Sequence, residues 1–220
     1  TNIYTGVPKN AWEITYLITS FFFTMVIHDI YFYVSHRLLH LKYIFKHIHS
    51  LHHHSHSVNP WSAFSFHPIE GIVQIAIVPM LAFIFPVHTY ILLLFVFLML
   101  FISVYGHSGY ELRINKWKGF YVFNTSLHHF QHHEHVHYNF GIYLNIWDRL
   151  FGSFQEERDD EPCVYGTRGP LNSWDPLWAN WQVYSGLLHD SWHAASWRDK
   201  FRVWFRHPGW RPADVAARFP

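Results

Sequence analysis

From Ile69 to Tyr105 the chain is almost wholly apolar, interrupted by Glu70, Gln74 and the turn-like Phe85-Pro86-Val87-His88. A helix needs about 20 apolar residues to cross a bilayer core of about 30 Å. The stretch is too long for one crossing and suits two short ones with a turn at Pro86. A second apolar stretch, Ile14 to Val34, contains Phe21-Phe22-Phe23 and carries His28 and Asp29. Ionisable groups at such depth face a protein interior or a site rather than lipid. Charged residues are only 14% of the 220, against about 25% in soluble proteins. The fold class expected is all-α: an integral membrane helical bundle with a histidine-rich cap.

The pattern divides the chain. Residues 14–41 read as a spanning helix, 42–68 as a polar, His-rich segment ending in Asn59-Pro60 and His67-Pro68, and 69–106 as an apolar hairpin. Residues 1–153 are expected to form the membrane-embedded catalytic domain. Residues 154–220, with seven Trp and scattered Arg, form a cytoplasmic extension near the headgroups. Thr1 is not an initiator methionine, so the chain reads as processed or truncated, with room for further N-terminal helices. The lone Cys163 rules out an internal disulfide framework. A formal net charge of +1 suggests no nucleic-acid partner.

The polar segments carry the chemistry. Three clusters place imidazoles three or four residues apart: His36 and His40; His49, His52 and His53; His129, His132 and His133. That spacing stacks side chains on one helical face and forms a chelate for a first-row metal. One tetrahedral site needs four ligands, and eight imidazoles therefore suit a pair of metal ions. Topology agrees. The first span delivers two clusters to one face, and the hairpin returns the chain to that face before His107 and the third cluster. Arg37, Lys42, Lys46, Arg113, Lys116, Lys118 and Arg149 lie there too, which makes it the cytoplasmic face by the positive-inside rule.

These clusters, HxxxH then HxxHH then HxxHH, resemble the histidine boxes of the fatty acid hydroxylase/sterol desaturase superfamily. The segment Asp29-Ile-Tyr-Phe-Tyr-Val-Ser-His36-Arg37 resembles that family's lead into its first box. Ser65-Phe-His67-Pro68-Ile-Glu70-Gly71 resembles a segment of the sterol desaturase branch. Gly106-His107-Ser-Gly-Tyr-Glu111, Asn139-Phe-Gly141 and Trp147-Asp148-Arg149-Leu-Phe-Gly152 also match, so the likeness covers about residues 25–155.

The resemblance implies a membrane non-haem oxygenase with two iron ions, zinc being an acceptable occupant in purified material. It implies dioxygen as oxidant, a separate electron-donor protein, and hydroxylation or desaturation of a sterol or other long-chain lipid. The bacterial inner membrane or the endoplasmic reticulum would house it. The ligands it implies are His36, His40, His49, His52, His53, His129, His132 and His133, with His107 starting a further pair. Where some hydroxylases have a second His, this chain has Glu111. His67 is a lesser candidate beside the bend at Pro68, and His28 is ambiguous. Asp29 and Asp148 read equally as partners of a ligand N–H or as backbone acceptors. For His47, His54, His56, His88, His128, His135, His137, His189, His193 and His207 no spacing argument indicates a metal.

Two other functions compete. His133-Glu134-His135-Val136-His137 satisfies the HExxH pattern of zinc metalloproteases, in which two His on one helix hold zinc. A metal transporter would place its ligands near the bilayer midplane. His207-Pro208-Gly209-Trp210 resembles a haem-binding segment but reads as a turn. Asn124-Thr-Ser is a glycosylation sequon on the face assigned to the cytoplasm.

Overall fold

A computed structural model describes residues 2–54, 60–108, 122–156, 176–206 and 210–219. Glu111, Arg113, Lys116, Lys118, His56, Asn59, Cys163 and His207 lie outside them. The described chain is mostly helical. Helix α1 (Ala11–Leu39) starts where the Asn10 side chain accepts from Glu13 N at 2.9 Å. It is followed by α2 (Lys42–His47), a 3-10 turn His49–His54 and another at Pro60–Phe64.

The apolar hairpin follows. Its first limb is α3 (Pro68–Ile75) and α4 (Ile77–Ile84), and its second is α5 (Thr89–Gly106). The first limb breaks at Ala76 because Pro79 has no N–H to offer the Ile75 carbonyl. The turn at Pro86 stands as the sequence suggests. It is clamped to the chain start: β1 (Ile3–Tyr4) pairs in parallel with β2 (Val87–His88), and Tyr16 Oη donates to Pro86 O at 2.6 Å. The start of α1 and the hairpin turn therefore share one end of the molecule. The C-terminus of α1, the N-terminus of α3 and the C-terminus of α5 share the other.

Between the three limbs, Ile77, Leu81 and Phe95 are fully buried, packed by Met25, Ile27 and Tyr31 of α1. The outward side is equally apolar. Ile14, Ile18, Phe22, Val26, Ile30, Val34 and Leu38 form an exposed i, i+4 ridge on α1, and Leu93, Leu94, Phe97, Leu100 and Phe101 are exposed on α5. Monomeric soluble proteins rarely leave so large an apolar surface uncovered. Helices α1 and α5 are long and apolar enough to cross a membrane, and the apolar window of α5 is only 6% buried in the protein, unlike a soluble core helix.

Beyond the hairpin lie α6 (Ser126–His135), α7 (Ile146–Leu150), α8 (Pro176–His193), α9 (Trp197–Phe205) and α10 (Ala213–Arg218). Helix α6 begins in a reciprocal cap: His128 N donates to Thr125 Oγ1 at 3.2 Å, and Thr125 N donates to His128 Nδ1 at 3.3 Å. Helix α8 packs against α9 and the Pro60–Phe64 turn.

Candidate metal centre

All nine histidines singled out in the sequence converge at the end of the molecule opposite the hairpin turn, in two groups. His36, His40, His49, His53 and His132 form one, and His52, His107, His129 and His133 the other; within each, the candidate ligand atoms lie within 4.8 Å of one another. Box one feeds the first group alone. Boxes two and three each divide between the groups: adjacent residues diverge by about 120° in the 3-10 turn that carries box two and by about 100° in α6, which carries box three. The groups touch, with the His53 and His133 rings stacked at 4.5 Å between centroids.

The nitrogens face one another. In the first group, Nε2 of His49 lies 3.1 Å from Nε2 of His36 and 3.1 Å from that of His53, which is 3.2 Å from that of His132. In the second, Nε2 of His107 lies 3.3 Å from that of His52 and 3.0 Å from that of His129, which is 3.1 Å from that of His133. Metal–nitrogen bonds of about 2.0–2.1 Å, at angles between octahedral and tetrahedral, give nitrogen separations of roughly 2.9–3.4 Å. The observed spacing fits that range.

Tautomers fix the direction of the lone pairs. A carbonyl oxygen only accepts, so His36 Nδ1 donates to Phe140 O at 2.8 Å, His132 Nδ1 to Tyr138 O at 2.6 Å and His107 Nδ1 to Ser103 O at 2.7 Å. His49 Nδ1 donates to Glu70 Oε1 at 2.7 Å. In each case the bare lone pair is left on Nε2, aimed at the other imidazoles. His40 Nε2 is buried with no hydrogen-bond partner. Such a set of converging lone pairs is repulsive by itself and becomes favourable around a cation.

Electrostatics point the same way. Burial first, and neighbouring imidazoles second, hold His40, His49, His52, His53, His129 and His133 below the ordinary imidazole range. Burial alone pushes His107 down to about 4 against the pull of the Ser103 carbonyl. The rings are thus held neutral, the form that binds a metal.

Asp29 and Asp148 touch no clustered histidine. Both accept from backbone instead. Asp148 takes Phe140 N and Gly141 N, each at 2.8 Å, and Ser153 Oγ at 2.8 Å. Its grip on Phe140 fixes the peptide beside the carbonyl that holds His36. Asp29 takes Tyr143 N at 2.9 Å and Trp147 Nε1 at 2.8 Å, tying α1 to the segment ahead of α7. The Asn139-Phe-Gly141 motif has the same logic. Asn139 sits at φ 55 and binds Gln131, His128 O and Gln155, while a Cβ on Gly141 would meet Asn124 Nδ2 at 2.5 Å and Leu144 O at 2.6 Å.

Several histidines outside the two groups have structural partners. His67 lies in neither group; its Nδ1 accepts from Ile69 N at 3.2 Å and caps α3. His28 is buried against Phe95, with Nδ1 2.8 Å from Tyr143 Oη. His88 caps α5. Glu70 is the partner that sequence reasoning missed. Its signal was a carboxylate one turn into an apolar segment, which must find a buried donor.

The HExxH pattern does not sit on one helix. Helix α6 ends at His135, Val136 takes a left-handed φ of 56, and His137 is exposed. Its two histidines therefore lack the shared helical face that a zincin needs. Both groups also lie at helix ends, not midway along the spans as a transporter would have them. Between α1 and α3 runs a groove of about 510 Å³, lined by Ile27, Ile30, Tyr31, Val34, Ser35, Leu38 and Val73. Its lining is aliphatic apart from Tyr31 and Ser35.

Outward-apolar helices carrying two adjoining all-histidine groups at their ends define a histidine-cluster membrane protein. The chain belongs to the fatty acid hydroxylase family, whose profile matches residues 21–153. It is 33% identical to a lathosterol oxidase of Homo sapiens over 166 residues, 75% of this chain and 52% of that protein. It is 31% identical to a Delta(7)-sterol 5(6)-desaturase of Eremothecium gossypii over 156 residues, 70% of this chain and 43% of that one. A desaturase of the same name from Candida glabrata is 32% identical over 141 residues, 64% of this chain and 36% of that one. The chain thus spans about half the length, or less, of these relatives. No solved structure matches it.

Proposed function

We propose that this chain is the catalytic core of a dioxygen-dependent membrane oxidoreductase acting on a sterol or another long-chain lipid. One observation carries the reading: two all-imidazole groups adjoin at the ends of helices whose outer surfaces are apolar. The five-histidine group holds one metal ion and the four-histidine group a second, both iron in the working enzyme. Iron so bound would supply the redox chemistry for reducing dioxygen with two external electrons.

The chain's own residues bind and orient. Glu70 and the carbonyls of Phe140, Tyr138 and Ser103 keep four lone pairs turned inward. Burial of the rings excludes water. The groove along Ile27, Ile30, Val34 and Leu38 runs toward the histidine end of α1 and takes a hydrocarbon by non-directional burial, at about 0.8 kcal/mol per methylene. Electrons come from a separate donor protein. The basic residues flanking the helix ends support a cytoplasmic location for the centre, in a bacterial inner membrane or the endoplasmic reticulum.

The test is mass spectrometry of lipids from cells with and without expression. Gain of an oxygen marks hydroxylation, and loss of two hydrogens marks desaturation. His36→Ala and His49→Ala should abolish the new lipid, whereas Glu134→Gln should retain it. The opposite order of severity would return the protease reading.

A further inference from the structure

The C-terminal helices present an apolar surface that the metal chemistry does not use. On α9, Trp197, Phe201 and Phe205 recur every four residues and are 85%, 65% and 47% exposed. The Phe201 and Phe205 rings stack at 4.2 Å. Val203, on the other side of the helix, is buried in the protein. Trp192, near the end of α8, extends the stripe at 79% exposure. Lys200 links the two helices: its Nζ donates to Trp192 O at 3.2 Å and lies 5.3 Å from the Trp197 ring centroid.

Cations border this stripe. At 100° per residue, Arg198 and Arg202 fall along one side of it and Lys200 along the other. Arg206 follows at the helix end. Asp199, the acid among them, pairs with Arg202 at 3.1 Å. The helix therefore combines an aromatic face with an excess of positive charge on its flanks, the composition of a helix lying in a headgroup layer.

Its height in the molecule fits. His67 caps the N-terminus of α3, where the first limb of the apolar hairpin begins. The Trp204 backbone lies against the His67 ring, so α9 sits at the level where α3 emerges. Helix α8 packs on the Pro60–Phe64 turn, just ahead of the same point. An exposed aromatic stripe at the end of a membrane limb meets the interface that the apolar limbs already define.

We propose that α9, with the Trp192 end of α8, is a docking surface for acidic phospholipid headgroups, holding the C-terminal helices against the membrane that the chain itself spans. The inference is independent of the oxidised substrate. Its test uses the full chain with Cys163→Ser and Phe201→Cys, labelled at the new thiol with an NBD fluorophore. The protein is reconstituted into vesicles of phosphatidylcholine, alone or mixed with phosphatidylglycerol. Acidic vesicles should blue-shift the label and raise its quenching by headgroup-proximal spin-labelled lipid at least about two-fold. The triple variant Arg198→Glu, Lys200→Glu, Arg202→Glu should lose that gain while keeping its metal content. A label on Trp192→Cys should report the same pattern if the first position perturbs folding.

Three results would overturn the proposal. The label would be equally open to aqueous iodide in both vesicle types. Lipid quenching would ignore headgroup charge. Or protection would vanish when the protein is diluted over more vesicles, which would identify a second copy as the cover.

Discussion

Glu70 carries two roles in one side chain. It begins the hairpin, yet its carboxylate is fully buried and spends one oxygen on His49 Nδ1 at 2.7 Å. Removing it leaves a buried N–H without an acceptor and frees the His49 ring to turn. Glu70→Leu is expected to lower metal affinity by about 10–100-fold, with Glu70→Gln, which keeps an acceptor, affected less. Metal retained against a graded chelator measures the difference. Equal affinities in all three proteins would mean that Glu70 does not orient His49. Gly141 offers a second residue-scale check. A Cβ there collides with Asn124 Nδ2 and Leu144 O, so Gly141→Ala must push the Phe140 peptide off Asp148. The expected cost is about 1–3 kcal/mol, read as a lowered midpoint of thermal unfolding in detergent.

At the scale of elements, α6 is the piece that joins the two groups. Its ten residues supply His132 to the five-histidine group and His129 and His133 to the four-histidine group. Neighbouring substitutions on this helix should therefore have separable effects. His132→Ala is expected to strip the first group and leave the second loaded, and His133→Ala the reverse, with about one metal per chain by elemental analysis in each. A wild-type protein that is folded and fully loaded yet holds one metal would sink the paired centre. The short Asn139–Ser153 segment matters as much as the helices. It provides the Phe140 carbonyl for His36, and Asp148 and Asp29 lock it to itself and to α1.

Over the whole molecule, the hairpin turn and the start of α1 are tied together at one end, which leaves the two histidine groups at the other. On the proposed function a lipid reaches the histidines along the helices, and the α1–α3 groove is the apolar path the structure offers. Val34 lies in that groove one turn below Leu38. Val34→Trp is expected to fill it, raising KM for the lipid several-fold or shifting the oxidised carbon, with metal content unchanged. Lipid analysis beside elemental analysis separates this from damage to the centre. Unchanged products and KM would exclude the groove as the path. The C-terminal helices close onto the same end through α8, which packs on Pro60–Phe64.

Much of this was legible from residue order. Apolar runs pointed to one spanning helix and a two-limbed hairpin, because a bilayer core sets the length of any helix that spans it. Imidazole spacing marked eight of the nine clustered histidines, because chelation needs side chains on adjacent turns, and only the family resemblance added His107. What the order of residues left open was decided by tertiary contact. The division of His52 from His53 and of His132 from His133 depends on which neighbours each ring meets across the fold. The acceptors that turn the rings are backbone carbonyls, which every residue carries and no sequence pattern marks. Asp29 and Asp148 looked equally able to hold a ligand or a loop, and only their distance from the imidazoles assigned them to the loop. HExxH matched in sequence and failed in space, because Val136 left the helix before His137 could share its face with His133. Residue type thus set the chemistry on offer, and packing chose the partner of each group.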